Sequence, residues 1–456
     1  METINVIRRQ TDRIRPSLRF QFDYWMLLTV VALLIFGLLM VYSTTFDYGW
    51  RFKDDSQYYF KRQMVAAGLG LSAMLVIMQF DYRILRRVSV PFLLGTFVLL
   101  GVVLFTGEEL QGAVRGLASG SYQPSELAKL ATVMYIAHWL SSKGDRIKDI
   151  TYGLLPFSVI TGTVCALIVR QPDLSTAILI ALTSFTVFFI AGADWRQFAL
   201  AGLVGGTAFI FLMFTLPHAR GRVDAYTTAL QDPSQAHWHV QQSLIALGTG
   251  GWFGEGLGRS TQKFGPLPFA HTDGVMAVIG EELGFIGSMT VIVLFVILAW
   301  RGFLAAKHAR DSYGSLLALG ITCWLCYQAL INLAVITAVI PFTGMPIPFL
   351  SYGGTSLAIT LVAVGILLNI SRDAAIGKTL AREERRPQMP LQPSVVSGGA
   401  SARREPRTPT VISTEAVPQT MNKEVADAHF SVRRRDRRRN LSGARGRRRN
   451  GRSGRR

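Results

Sequence analysis

Apolar runs recur along this chain from Phe22 to about Asn369, most of them roughly 17 to 25 residues long. A helix needs about 20 apolar residues to cross a hydrocarbon core roughly 30 Å thick. In that medium the backbone must satisfy its own polar groups, which restricts a spanning chain to helices or a closed barrel. Ten runs have helical length: about 22–42, 63–80, 89–106, 124–141, 152–170, 174–192, 196–216, 273–300, 313–340 and 355–371. The expected fold is therefore an all-α polytopic membrane protein of ten transmembrane helices. The first run follows about twenty polar residues, lacks a small-residue cleavage site and is followed by many more, so it reads as a retained span.

Lysine and arginine set the orientation of such a bundle. Arg8, Arg9, Arg13, Arg15 and Arg19 precede the first span; Arg83, Arg86 and Arg87 follow the second; Lys143, Arg146 and Lys148 follow the fourth. Arg196 follows the sixth, and Arg301, Lys307 and Arg310 follow the eighth. All fall on one side, which places both termini in the cytoplasm and the protein in the cytoplasmic (inner) membrane. Arg51, Lys53, Lys61 and Arg62, in the first outer loop, are the exception. The domain boundaries that follow are a cytoplasmic segment 1–21, a ten-helix domain 22–375 and a disordered Arg-rich cytoplasmic tail 376–456. Between helices 7 and 8 lies a large extracytoplasmic loop, 217–272, too apolar for a linker; loops of this length are usually functional.

The net charge of +19 is concentrated at the C-terminal end, where residues 372–456 hold 22 Lys and Arg against 8 Asp and Glu. Tethered beneath a membrane, such a tail is expected to bind anionic lipid. Nucleic acid is not the expected partner, because "GRRRNGR" has no interleaved aromatic for base stacking. Cys165, Cys323 and Cys326 all lie within apolar runs and read as packing residues.

Ionisable residues at bilayer depth cost at least ~2.5–3.5 kcal/mol on insertion scales and are functional candidates by default. Glu126 and Lys129 share a helix face and can neutralise one another, either as a structural pair or as substrate contacts. Asp173, in "RQPDLSTA", sits in a short outward turn, where it can cap the sixth span and still serve a site. Arg115, Arg220, Arg222 and Lys263 are outer-side cations suited to phosphate or pyrophosphate, although lipid headgroups would also hold them there. The glycines of "GTGGWFGEGLG" do not fit GxGxxG and follow no βαβ strand, which favours close backbone packing or a ligand-shaping loop over nucleotide binding. "GMPIPFLSYGGTSL" reads as a re-entrant cavity wall, with Ser351 and Thr355 as candidate substrate contacts. His237, His239 and His271 lack any metal-ligand spacing.

Asp273, in "AHTDGVMAVIGEELG", stands at the mouth of the eighth span with no cation three or four residues away. It is either a helix N-cap or a carboxylate whose withdrawal from water suits it to act as a general base. Glu281 and Glu282 lie about 12 Å deeper by helical rise and are expected to serve helix packing.

"QPSELAKL", "QPDLSTA", "GLGRSTQK", "AHTDGVMAVIGEELG" and "GMPIPFLSYGGTSL" occur in the order found in the SEDS family (shape, elongation, division and sporulation). The chain resembles that family over about residues 20–375, and its FtsW branch more than its RodA branch. The resemblance implies a peptidoglycan glycosyltransferase that polymerises lipid II at the outer membrane face beside a class B penicillin-binding protein and other division proteins. A lipid II flippase and a non-catalytic scaffold are the alternatives. Asp273 matches the family's catalytic aspartate; Glu126, Lys129, Asp173 and Arg115 match its other charged motif positions. No cofactor is firmly implied, and a divalent cation is left open. Two departures stand out: Gly274-Val275-Met276 replaces the family's Phe-Ile-Phe, and Gly116 replaces a Trp. Both losses are of bulky groups expected to line the outer cavity, and their effect on its shape is left open.

The topology has a direct check. A cysteine placed at Thr227 should react with an impermeant outer-side reagent, and one at Ser142 should not. Equal labelling at the two positions would overturn the arrangement with both ends inside.

Overall fold

A computed structural model describes residues 23–106, 108–110, 113–116, 122–232 and 235–384. Side chains are described over the same residues except 106–121, 218 and 377–384. The chain divides into one unit spanning Met1–Gln388 and a second spanning Met389–Arg456. The second unit, with the Arg-rich motifs and their expected lipid contact, lies outside the described residues, as does the segment 1–21.

All ten expected segments are helical. They are α1 (Tyr24–Lys53), α2 (Tyr58–Ile77), α3 (Arg83–Thr106), α4 (Pro124–Ser141), α5 (Leu155–Val169), α6 (Leu174–Ile190) and α7 (Trp195–Thr215), with α10 (Val275–His308), α11 (Ser312–Ile336) and α12 (Gly354–Glu384) completing the set. The 217–272 segment contributes α8 (Pro217–Gln231) and α9 (Trp238–Gly250). Among the described residues the fold is helical apart from a short antiparallel hairpin, β1 (Glu108–Leu110) with β2 (Ala113–Gly116). Eight helices among the described residues are long and apolar enough to cross a membrane, α5 among them with the wide turn at Ile150–Leu154 that leads into it. Of the remaining two expected spans, α6 has 17 residues and α4 carries Glu126 and Lys129.

Local chemistry sets the helix ends. Asp23 caps α1 by accepting from Met26 N, and Asp173 caps α6 by accepting from Thr176 N. Pro124 opens α4 at a position where its missing N–H is harmless. Two ends differ from expectation. α1 runs on to Lys53, because Thr44 and Thr45 return their hydroxyls to Met40 O and Val41 O, and Asp47 pairs with Arg51 one turn on. α12 runs on to Glu384, so 376–384 is helical rather than irregular. Ala, Lys, Leu, Arg and Glu in "IGKTLAREE" are good helix formers and extend the span.

α4 and α11 form the centre of the bundle. Thirteen of the eighteen α4 residues are buried, and α11 packs against α4, α6 and α10. α12 lies along α2, and α1 lies along α10. The α1–α10 pair also gives the bundle a ruler. Asp23 at one end of α1 pairs with Arg301 of α10. Further along, Ser43 donates to Glu282 at 2.8 Å. The two contacts are about 30 Å apart by helical rise, which matches a hydrocarbon core. Glu282 thus sits about one hydrocarbon thickness along the pair from the Asp23–Arg301 contact.

α10 is broken at Gly284, whose φ of 67° and ψ of −162° are not helical. Residues 251–256 repair the break. Glu255 N and Gly256 N donate to Glu281 O and Glu282 O, both at 2.9 Å, while Phe285 N and Ile286 N donate to Gly251 O and Trp252 O. A side chain at Gly254 (φ +77°) would meet Glu282 O at 2.3 Å, so the glycines of "GTGGWFGEGLG" serve close backbone approach. Glu281 accepts from Thr261 N and Thr261 Oγ1 at 2.8 Å and from Ser260 Oγ. Lys263 Nζ reaches Glu282 Oε1 at 2.6 Å and Ser43 Oγ at 2.9 Å. The Lys263 side chain is only 4% exposed. This lysine, expected among the phosphate-binding cations, is held inside by a carboxylate.

Removing one partner of a buried ion pair strands the other, at about 3–5 kcal/mol. Lys263→Met should therefore lower the melting temperature of the purified protein by several degrees, and adding Glu282→Gln should restore much of it. A single variant that melts with the parent would show that the pair contributes nothing to holding the loop.

Candidate functional site

A cavity of about 1200 Å3 opens at the end of the bundle where α1 stops, between α2, α4, α6 and the 341–354 segment. Helix ends and loops build its wall. Glu126 and Lys129 enter from the first turns of α4, Asp173 from the cap of α6, and Thr355 from the start of α12. Lys129 Nζ lies 2.8 Å from Glu126 Oε2 and donates to Gln328 Oε1 at 3.0 Å. It also stands 5.2 Å from the Trp324 ring centroid, a cation–π contact. The pair is thus both mutually neutralised and on the cavity wall. Asp173 likewise combines the two roles its sequence position allowed: it caps α6 and faces the cavity.

Asp273 lies beside this wall, between Thr272, which lines the cavity, and α10. The cap position of α10 is Gly274, so Asp273 stands one residue outside it. Thr272 Oγ1 donates to Asp273 Oδ1 at 2.9 Å, and His239 Nε2 of α9 is 3.9 Å from the same oxygen. Asn332 on α11 fixes the backbone by donating to Asp273 O at 2.9 Å and to Met345 O at 2.8 Å. Four residues earlier on the same helix face, Gln328 donates to Pro346 O at 2.9 Å. One face of α11 therefore ties the 341–351 loop to Asp273 on one side and to the Glu126–Lys129 pair on the other. Nothing in the motifs singled out Gln328 and Asn332. Their signal was two amides four residues apart in the apolar "CYQALINLAVI".

Ser351 has a supporting role. Its hydroxyl donates to Thr272 O and accepts from Ile347 N at 2.9 Å, beneath the loop that carries Asp273. The expected outer cations whose side chains are described do not gather at one point. Lys263 is paired with Glu282. Arg220 is exposed beside Asp224 at 3.8 Å. Arg222 lies over the Phe342 ring and donates to Thr343 O at 3.5 Å, bracing the loop rather than the cavity. The Arg115 side chain lies outside those described, and so does whatever Gly116 faces.

The cavity has other cations: Lys53, Lys61 and Arg62. They stand among Tyr48, Tyr58, Tyr59 and Tyr352, with Arg62 and Lys53 each against the Tyr58 ring. Three of the four residues that broke the charge asymmetry of the loops thus line the cavity, and that exception was the signal for them. His271 packs against Tyr48 at 4.8 Å, and burial pushes its imidazole down to about 4. It is neutral at physiological pH, so the positive charge here comes from lysine and arginine. The residues of the Gly274-Val275-Met276 departure do not line the cavity: Val275 and Met276 are buried in the core, and Gly274 abuts Leu267, Ala270 and His239.

If Glu126 and Lys129 neutralise one another, Glu126→Gln and Lys129→Met should each reduce folded yield or activity more than the double variant does. Additive losses, measured by melting temperature and polymerisation in parallel, would show that the two act separately.

A sequence model for the FtsW, RodA and SpoVE proteins, described as "cell cycle protein", matches residues 24–376. "Probable peptidoglycan glycosyltransferase FtsW" of Trichlorobacter lovleyi is 40% identical over 363 residues, which is 78% of this chain and 95% of the relative. Stage V sporulation protein E of Bacillus subtilis is 40% identical over 357 residues, 77% of this chain and 97% of that protein. Among solved structures, a chain from a peptidoglycan synthase complex that coordinates polymerization and crosslinking superposes with a TM-score of 0.63 at 29% identity, covering 78% of this chain and 99% of that one. The rod shape determining protein RodA of Thermus thermophilus gives 0.57 at 27% identity, covering 78% and 98%. Sequence and helical architecture agree over the same region, and the chain belongs to the FtsW–RodA–SpoVE family.

Proposed function

We propose that this protein is an inverting peptidoglycan glycosyltransferase that polymerises lipid II into glycan strands during cell division. The observation that carries the reading is the position of Asp273, a carboxylate outside the helix cap, braced by Asn332 and Thr272 beside a cavity whose wall bears lysine, arginine and tyrosine. The names of its relatives, peptidoglycan glycosyltransferases among them, support the same chemistry. In this reading α4 and α6 complete a set of ten spans, both termini are cytoplasmic and the cavity opens on the outer face. The solved synthase complex supports a penicillin-binding protein as the partner that crosslinks the product.

Asp273 takes the proton of the acceptor sugar's hydroxyl as that oxygen bonds to the donor's anomeric carbon. The donor's C–O bond to pyrophosphate breaks on the opposite face, and the lipid pyrophosphate leaves with the bonding electrons. General-base help of this kind contributes typically about 10²–10⁴-fold. Lys53, Lys61 and Arg62 meet the leaving pyrophosphate, with Arg62 offering a planar fork to its oxygens. Glu126, Lys129, Asp173 and Thr355 line the opposite walls and hold the sugars and peptide.

Asp273→Asn keeps the side chain's size and its bond from Thr272 but removes the base. The purified variant, given lipid II, should fold like the parent and lose glycan polymerisation by at least about 10²-fold. Near-native polymerisation by a folded variant would refute the assignment. Loss of lipid movement across vesicles, with polymerisation absent from the parent as well, would favour a transporter instead.

A further inference from the structure

His239 matches no metal spacing and belongs to none of the family's motifs quoted above, yet it is the imidazole that faces Asp273. The ring is 1% exposed, on the first turn of α9, and its Nε2 stands 3.9 Å from Asp273 Oδ1. Nε2 has no hydrogen bond among the described residues. The other ring nitrogen, Nδ1, faces Ser243 Oγ at 3.4 Å. Ser243 gives its hydrogen to His239 O at 2.8 Å, so it can offer Nδ1 only a lone pair. That arrangement places the proton of the neutral ring on Nδ1 and leaves Nε2 as an acceptor aimed at the carboxylate. Two acceptors repel, which accounts for a separation longer than a hydrogen bond.

Gly274 makes the approach sterically feasible. A Cβ there would lie 3.1 Å from Leu267 Cδ2, 3.2 Å from Ala270 Cα and 3.3 Å from His239 Nε2. Phe342 closes the far side of the ring, with centroids 4.7 Å apart. The charged and titratable groups around the ring are Asp273, His237 on the same helix and Arg222 on α8. Burial holds His237 below the usual imidazole range, helped by His239 and Arg222. Burial also holds His239 below that range, against the opposing charge of Asp273.

We infer that His239 is a positioning residue for Asp273, accepting a hydrogen bond at Nε2 from the carboxylic acid that forms when Asp273 takes the substrate's proton. The inference rests on Asp273 being the general base. One proton leaves the sugar hydroxyl and is shared by Asp273 and His239. The sugar oxygen forms its bond to the anomeric carbon, and pyrophosphate departs with the electrons of the broken bond. Protonation converts a repulsive acceptor–acceptor contact into a hydrogen bond, so the interaction strengthens as the reaction proceeds and favours the transition state over the resting site.

The test is glycan polymerisation by the full chain from lipid II across pH 5 to 9, with melting curves for each variant. His239→Gln should lower kcat by about tenfold with little change in KM, and move the acidic limb of the profile to lower pH by about one unit. Gly274→Ala keeps the imidazole but pushes it from the carboxylate, and should shift the limb in the same direction by less. If Asp273→Asn is inactive while His239→Gln keeps the parent's kcat and acidic limb, the inference is wrong and the general-base reading stands. If Asp273→Asn is active, the reading beneath the inference fails first. Should His239→Gln not fold, Gly274→Ala carries the test alone, and an unshifted limb overturns the inference.

Discussion

The backbone exchange between residues 251–256 and 281–286 is the contact on which the placement of the site depends. A helix broken at Gly284 frees carbonyl and amide groups that would be costly to leave unpaired at the edge of an apolar slab. The Gly-rich segment after α9 supplies the missing partners, donating to Glu281 O and Glu282 O and accepting from Phe285 N and Ile286 N. Once that segment is seated, the chain that follows has little freedom. Ser260 and Thr261 bind Glu281, and Lys263 binds Glu282. The nine residues between Lys263 and Asp273 then lead back to the start of α10. The carboxylate beside the cavity is thus held by two others further along the same helix.

Five carboxylates in this core are accommodated in different ways, and the differences separate structure from chemistry. Glu126 has a lysine one turn away. Glu282 has a lysine from a distant loop. Glu281 is met by a backbone amide and two hydroxyls, which stabilise its charge without a cation. Asp173 is a helix cap. Asp273 receives a threonine hydroxyl and stands 3.9 Å from the buried His239 imidazole, the contact on which the proposed proton transfer draws.

Much of this was legible in the sequence because length and apolarity are local properties. The ten helical segments, the packing role of "GTGGWFGEGLG" and the positions of Glu126, Lys129 and Asp173 on the cavity wall could be read from spacing and motif. The continuation of α1 could not, because "YSTTFDYGW" carries the polar residues of a loop and stays helical by returning its hydroxyls to its own backbone. The break in α10 was hidden as well. "GEELGFIG" keeps a continuous apolar character, and its non-helical glycine is stabilised by residues some thirty positions earlier. The partner of Lys263 and the neighbour of His239 were illegible for the same reason: each is remote in sequence and becomes adjacent only through the fold.

The burial of the histidines also shapes how the site should respond to pH. His271, His237 and His239 all lie at this end of the molecule, and burial shifts each toward its neutral form. Neutral rings add no positive charge that would vanish as pH rises through the physiological range. In the proposed reading the pyrophosphate is met by Lys53, Lys61 and Arg62, which line the cavity, and the proton passes to Asp273, with the His239 ring behind it packed on Phe342. Substrate capture and proton transfer are, in that reading, divided between different residues.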